Sequence, residues 1–465
     1  MKRKSLVLSP VLLTALALPA LASCGGSSKQ ISIWVGNESV EFYNKATAQF
    51  LEENPDFGYK FKIVGTDAGS NGGAMNTDNS ACGDIVTVAS DNIGKLAQAN
   101  LLRPIKDEGL TNQILADNPE SYKSIIYSDY TNEETGEKEK GLFASPYISQ
   151  ALFLYYNKAK VSADQVKTFE GLAQAAKAVG ASQKSFTVTG TDGFNFSFTL
   201  LAKNAETNTS TLKLYEGGQK SACFAQGEDE VAVAQWAQRV FADPNGGNWP
   251  TSSGWAVELK NQLVLSVVGG AWHYNAALDA LGENLGITVL PQFTLTAADV
   301  AGTTQPANTV MQAGTFADCK VFVINNAIED DKYEPIQQVV KYLSSKNVQN
   351  ESFKQAMNVP AYVGAETYVD SIKADIPATQ YDLAKAQLGM NKYGIPQPFV
   401  TGLLNTYYYS KSAPDEYKLC LINEGGAYGT TRKVRETLYT MEYIWQRGSS
   451  PAQEDIPATL PQDVE

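Results

Sequence analysis

Two rhythms of apolar and polar positions run through the chain from residue 30 onward. In QISIWVG, Ile31, Ile33 and Val35 alternate with Ser32 and Trp34, a period of two that predicts a strand. NESVEFYNKATAQFLEENP follows with Tyr43, Ala46 and Phe50 at helical spacing; Ser39 predicts the cap and Pro55 the stop. YKFKIVG reads as a second strand. A long loop rich in Gly, Asn and Asp then leads to DIVTVA, an unbroken apolar run suited to a buried parallel strand. DNIGKLAQANLL sets Ile93, Leu96, Ala97 and Leu101 on one helical face. Strand and helix alternate, which predicts an α/β class with parallel sheet.

The alternation breaks at GLFASPYISQALFLYYNK, a long strand-like segment around Pro146. New helices follow, among them TFEGLAQAAKAVG with Phe169, Leu172, Ala176 and Val179 in register. Strands return in LVLSVVGG, GITVLP and CKVFVINN, and EPIQQVVKYLSS and KVRETLYTMEYIW read as amphipathic helices. The last segment, 451–465, combines prolines with acids and predicts a loose tail. No repeat of 20–50 residues is visible.

The first 23 residues follow neither rhythm. Lys2, Arg3 and Lys4 precede an apolar stretch from Leu6 to Leu21, shorter than the roughly 20 residues a spanning helix needs. A positive start, a short apolar middle and small residues before a cut mark a secretory signal. Leu21-Ala22-Ser23-Cys24 resembles the bacterial lipobox, which implies cleavage before Cys24 and lipidation of its thiol. Two or three acyl chains anchor stably where one does not. Residues 24–30 then read as a short lipidated tether.

Composition narrows the functional classes. The chain has 465 residues, 43% hydrophobic and 10% aromatic, enough for a sizeable core in two or three domains. The formal net charge is −13, and loss of the signal, which carries three basic residues and no acids, takes it to −16. An acidic chain argues against nucleic acid or anionic lipid as the ligand. His273 is the only histidine, which removes most histidine-dependent triads and multi-histidine metal sites. No GxSxG elbow, phosphate loop, GxGxxG or HExxH occurs, so the reading is a non-enzyme without cofactor or metal. Acidic clusters at 227–230 and 329–331 read as solvated faces. After Cys24, four cysteines remain; they either form two disulfides, in three possible connectivities, or stay as buried thiols.

Several segments, in order, resemble the maltose-binding, sugar-type branch of ABC-transporter solute-binding proteins: ISIWVGNES, GDIVTVASDNIGKLAQANLLRPI, LFASPYISQALFLYYNK, TFEGLAQAAKA, VGGAWHYNA with GITVLPQF, and VVKYLSS with NVPAYVGAE. The resemblance runs from about residue 31 to 447. It implies a type II two-lobed fold in which each lobe is a mostly parallel sheet flanked by helices, with a ligand cleft between. The first lobe would be 31–147 and 313–356, the second 148–312 and 357–450. Under that mapping Cys82 and Cys319 share the first lobe and Cys223 and Cys420 the second, which implies pairing within each lobe.

The resemblance also implies a binding site, and the candidates lie where strands end, as in open α/β sheets. Glu38 follows the first strand as an acceptor for sugar hydroxyls, or is a plain first-turn acid. Ser90, Asp91 and Asn92 follow IVTVA, with Asp91 at the position of a family acid and helix capping as the alternative reading. Gln150 sits past the crossing at Pro146 where the family has a carboxylate, and Asn195 falls where many relatives use an aromatic. Trp272, in a turn after two glycines and an alanine, offers a flat apolar face to a sugar ring. Trp255 resembles a second ligand-facing aromatic, while His273 reads as structural. Val88 and Asn92 depart from the family's stacking tryptophan and arginine, and Gly402 and Leu403 from a further tryptophan, which weakens the case for maltose itself.

The expected protein is thus a monomeric lipoprotein on the outer face of a bacterial membrane. It captures an oligosaccharide by lobe closure and passes it to an ABC permease. The rivals are the same fold for a polyamine or other non-sugar solute, and a surface glycoside hydrolase.

Overall fold

The computed structural model describes residues 29–132, 135–190, 195, 198–199, 201–208, 228–248, 254–303, 305–392 and 394. Cys24, Cys223, Cys420, the KVRETLYTMEYIW segment and the C-terminal tail lie outside the described residues.

The predicted first strand is Gln30–Gly36, paired in parallel with Lys60–Thr66 on one side and Ile85–Ala89 on the other. Asp318–Asn325 then adds antiparallel to Ile85–Ala89 and carries Leu102–Arg103 and Ala144–Gln150 on its far side, again antiparallel. A second sheet has the order Leu285–Thr288, Phe153–Asn157, Val264–Gly269, Lys184–Val188. Only its last pair is parallel. Both sheets are therefore mixed rather than mostly parallel. The reason is topological. A strand crossing from one lobe enters the next sheet at the end where the parallel strands finish, so it must run back against them. Asp318–Asn325 and Phe153–Asn157 are those entering strands.

Each sheet carries its own core. Ile31, Ile33, Val35, Phe50, Ile85, Val88, Phe322 and Val339 belong to one buried cluster. Leu154, Phe169, Leu172, Phe186, Trp236, Val267 and Phe293 belong to the other. Trp236 stacks on Phe293 with ring centroids 3.9 Å apart, and Phe169 meets Trp236 edge-on at 5.3 Å. Each such buried ring contributes roughly 2–3 kcal/mol relative to exposure.

Two local expectations change. The Gly- and Asn-rich stretch expected as a loop contains a helix, Ala68–Thr77, whose first turn is capped by the Asp67 carboxylate accepting from Gly69 N at 3.0 Å. Poor intrinsic propensity is overridden by packing: Met75 is buried, and the buried Asn71 amide donates to Thr66 Oγ1 and Thr87 O. Val179, placed on the buried face of its helix, is instead exposed.

Cys82 and Cys319 are both free thiols, not a disulfide. Lys320 pairs with Ala89 at the end of Ile85–Ala89, whereas Cys82 precedes the start of that strand. The sulfurs are thus separated by about 20 Å of strand, and a bridge needs Cα atoms within about 7 Å. The common lobe assignment did not bring them to the same end of the sheet. Alkylation of native protein should label the partly exposed Cys82 and leave the buried Cys319 unlabelled until denaturant is added, as read by peptide mass mapping.

Candidate ligand cleft

Three chain segments pass between the two cores side by side. Ala144–Gln150 leaves the first sheet and Asp318–Asn325 returns to it, with Gln150 opposite Asp318 and Ser149 opposite Cys319. The third segment joins through Ser149 N donating to Val359 O at 2.9 Å and a bridge between Ile148 and Pro360. The register shifts between Lys320 and Val321 so that Tyr147 is the extra residue next to Pro146, which has no N–H to offer. The Tyr147 ring stacks on Phe322 at 4.1 Å and holds the bulge against the first core.

Over these segments lies a cavity of about 360 Å³. Asn37, Glu38, Asp67 and Lys320 line it from the first lobe. Trp272, Tyr274 and Asn275 line it from the second, and Gln150, Asn358 and Val359 lie along the crossing segments.

Glu38 stands in the tight turn Asn37–Ser39 right after the first strand, its carboxylate 3.7 Å from the Lys320 ammonium. It folds back over Gly36, where any Cβ would overlap the carboxylate. Ser39 holds the predicted capping position for helix Val40–Glu53, yet its side chain makes no cap hydrogen bond. Its hydroxyl accepts from the cavity-lining Asn358 amide at 2.9 Å instead, tying the helix start to the third crossing segment. Asp67 accepts from Ser70 Oγ at 2.6 Å and from Gly69 N, and these bonds, led by Ser70, hold its carboxyl below the usual range.

Trp272 sits in the turn Ala271–His273 after strand Val264–Gly269 and is 45% exposed, the largest exposed aromatic among the described residues. Gly270 permits this, because a Cβ there would collide with the indole. The Gly270 carbonyl accepts from the buried Tyr155 hydroxyl at 2.9 Å, which fixes the turn to its own sheet.

Glu38, Gln150 and Trp272 therefore meet in one cavity. The other five candidates do not line it. Ser90 is buried and its hydroxyl donates to the Asp318 carboxylate. Asn92 donates to Asp91 Oδ1 at 2.8 Å and presses against helix Ala68–Thr77 at Gly72, where a Cβ would clash with its amide. Asp91 lies in the same turn, and burial raises its pKa. Asn195 accepts from Thr189 Oγ1 at 2.8 Å. Trp255 packs edge-on to His273 rather than facing the cavity. Sequence reasoning missed Asp67, Lys320, Tyr274 and Asn358. Asp67 follows a strand-like run and Asn358 opens the exit motif, so both could have been proposed on that ground; Lys320 sits inside an apolar run and gave no such sign.

A bacterial extracellular solute-binding protein family model matches residues 45–380. The chain belongs to that family. No curated protein matches the chain. Among solved structures, the ligand-free maltodextrin-binding protein MalE1 of L. casei is similar at TM-score 0.62 and 19% identity, over 90% of this chain and 99% of that one. The maltose-binding MalE of Listeria monocytogenes, in complex with maltose, gives 0.58 and 18% over 90% and 99%. MalX of Streptococcus pneumoniae, in complex with maltopentaose, gives 0.56 and 18% over 79% and 89%. These likenesses show the two-lobed solute-binding fold. Among the described residues no helix is long and apolar enough to cross a membrane.

Beneath the cleft of this solute-binding protein lies an acid pair, the buried Asp318 and the half-buried Asp91. Asp318, beside Gln150, accepts from Cys319 N at 2.8 Å as well as from Ser90. Burial, then the neighbouring Asp91 charge, pushes its pKa up to about 7. A carboxyl whose pKa rises on folding favours the folded state while protonated. That contribution is complete below the ordinary carboxylate range and is lost as pH climbs through about 7. Asp318→Asn should match wild type in melting temperature near pH 4 and exceed it by about 2 °C or more at pH 8, measured by calorimetry across that range.

Proposed function

We propose that this extracellular solute-binding protein captures an oligosaccharide between its lobes, closes on it, and presents it to an ABC importer, held at the membrane by lipid on Cys24. The observation that carries the ligand class is the pairing, across one cavity, of the half-exposed Trp272 indole with the Glu38 carboxylate and the Gln150 amide. An indole face complements the C–H face of a pyranose, and polar groups opposite it fix hydroxyl positions. Because the walls come from different lobes, closure gains affinity only from a ligand that touches both. Structural neighbours whose solved complexes contain maltose and maltopentaose, together with one solved with acarbose, support the same class. The reading includes no catalytic step: the family is one of binding proteins.

A polyamine fits the cleft less well. Lys320 lies beside Glu38, and Asp67 spends its oxygens on Ser70 and Gly69, so the acids do not box a cation. A panel of malto-oligosaccharides, other glycans and spermidine, read by thermal shift, should give upward shifts for saccharides only. Trp272→Ala should then weaken the best saccharide by about 30-fold in calorimetry, the effect of losing a hot-spot side chain, with melting temperature unchanged. Equal affinity in the variant overturns the platform assignment.

The anchor has a separate test. In a bacterial host the wild-type chain should fractionate with membranes and incorporate labelled palmitate, while Cys24→Ser should take up no label. Labelling that persists in the variant would place the lipid elsewhere.

A further inference from the structure

We propose that His273 and Trp255 are positioning residues for the ligand platform, the imidazole wedged behind Trp272 and backed by the second indole so that the platform is held in its cleft-facing tilt before any ligand arrives. The proposal rests on Trp272 serving as the platform, and it concerns residues that do not themselves line the cavity.

The geometry is a three-ring relay. The Trp255 ring meets His273 edge-on, centroids 5.1 Å apart at 72°. His273 in turn lies 5.4 Å from the Trp272 ring at 54°. Trp255 opens helix Trp255–Lys260 and packs partly against the second core, so the far end of the relay is anchored. The imidazole is also fixed to the turn: Gly270 N–H donates to Nδ1 at 3.4 Å, which places the ring proton on Nε2. Burial pushes the His273 pKa down to about 4, so near neutral pH the ring is an uncharged spacer that keeps this acceptor.

Physical reasoning gives the relay a purpose. A side chain exposed to this degree would ordinarily sample several rotamers, and ordering it on binding costs affinity. Gly270 leaves room for the indole to lie over the turn, and holding it there needs a stop against swinging away. The imidazole supplies that stop from one side, and Trp255 keeps the imidazole from yielding. Preorganisation of a binding residue by locked neighbours is how a precise site is held on a turn.

The test uses the full chain labelled with 5-fluorotryptophan, whose six tryptophans give separate fluorine signals. Trp272→Phe assigns the Trp272 resonance. In ligand-free protein, His273→Ala and Trp255→Ala should each shift and broaden that resonance, and His273→Phe, which restores a flat wedge, should return it toward its wild-type position. Maltotetraose affinity, measured in parallel, should fall about threefold to tenfold in the alanine variants and recover in His273→Phe. An unchanged Trp272 resonance in both folded alanine variants overturns the relay. The fluorine measurement needs no ligand. If wild-type protein fails to bind maltotetraose or any other saccharide, the proposed ligand class fails while the relay is still decided by the resonances.

Discussion

The molecule depends on one strand pairing: Ala144–Gln150 leaving the first lobe beside Asp318–Asn325 returning to it. Each strand belongs to the first sheet by its hydrogen bonds, and each reaches the second core within a few residues. Two adjacent crossings, with Val359 tied to Ser149 as a third, join the two lobes. The same arrangement explains why both sheets are mixed. It also places Gln150 and Lys320, residues of the crossings themselves, in the cleft.

The two walls solve a common problem in the same way. A strand must end and a cavity-lining side chain must turn back over the strand end toward the cleft. On the first lobe Glu38 does so over Gly36, and on the second Trp272 does so over Gly270. In each case the missing Cβ is the space the side chain occupies. Around them, neighbouring polar groups are consumed by structure. Ser39 binds Asn358, Ser90 binds Asp318, and Asn195 takes the Thr189 hydroxyl.

How much could be read beforehand varied with the kind of signal. The strands around Ile33, Val86 and Val267 were legible because alternation in the first and apolar runs in the other two are local signals. The family was legible from the order of weak motifs, and the match over residues 45–380 shows it. Helix Ala68–Thr77 was not, since Gly and Asn argue against it and only the burial of Asn71 and Met75 favours it. At the cleft, the candidates Trp272 and Glu38, placed after strand ends by the sequence, both line the cavity. Trp255 and Asn195 were read as ligand contacts from resemblance alone, and a likeness of position cannot say which way a side chain faces in this chain.

Sequence by itself determined the repeating strands and helices, the acidic balance, the scarcity of histidine and the family. All of these depend on residues close together in the chain or on simple counts. Tertiary structure alone decided that Cys82 and Cys319 end at opposite ends of a strand, that Ser90 and Asp91 turn inward to Asp318, and that Lys320 enters the cleft. Those outcomes depend on strand register and direction, set by pairing between segments far apart in the chain, and no local pattern encodes which end of a strand a distant partner will meet.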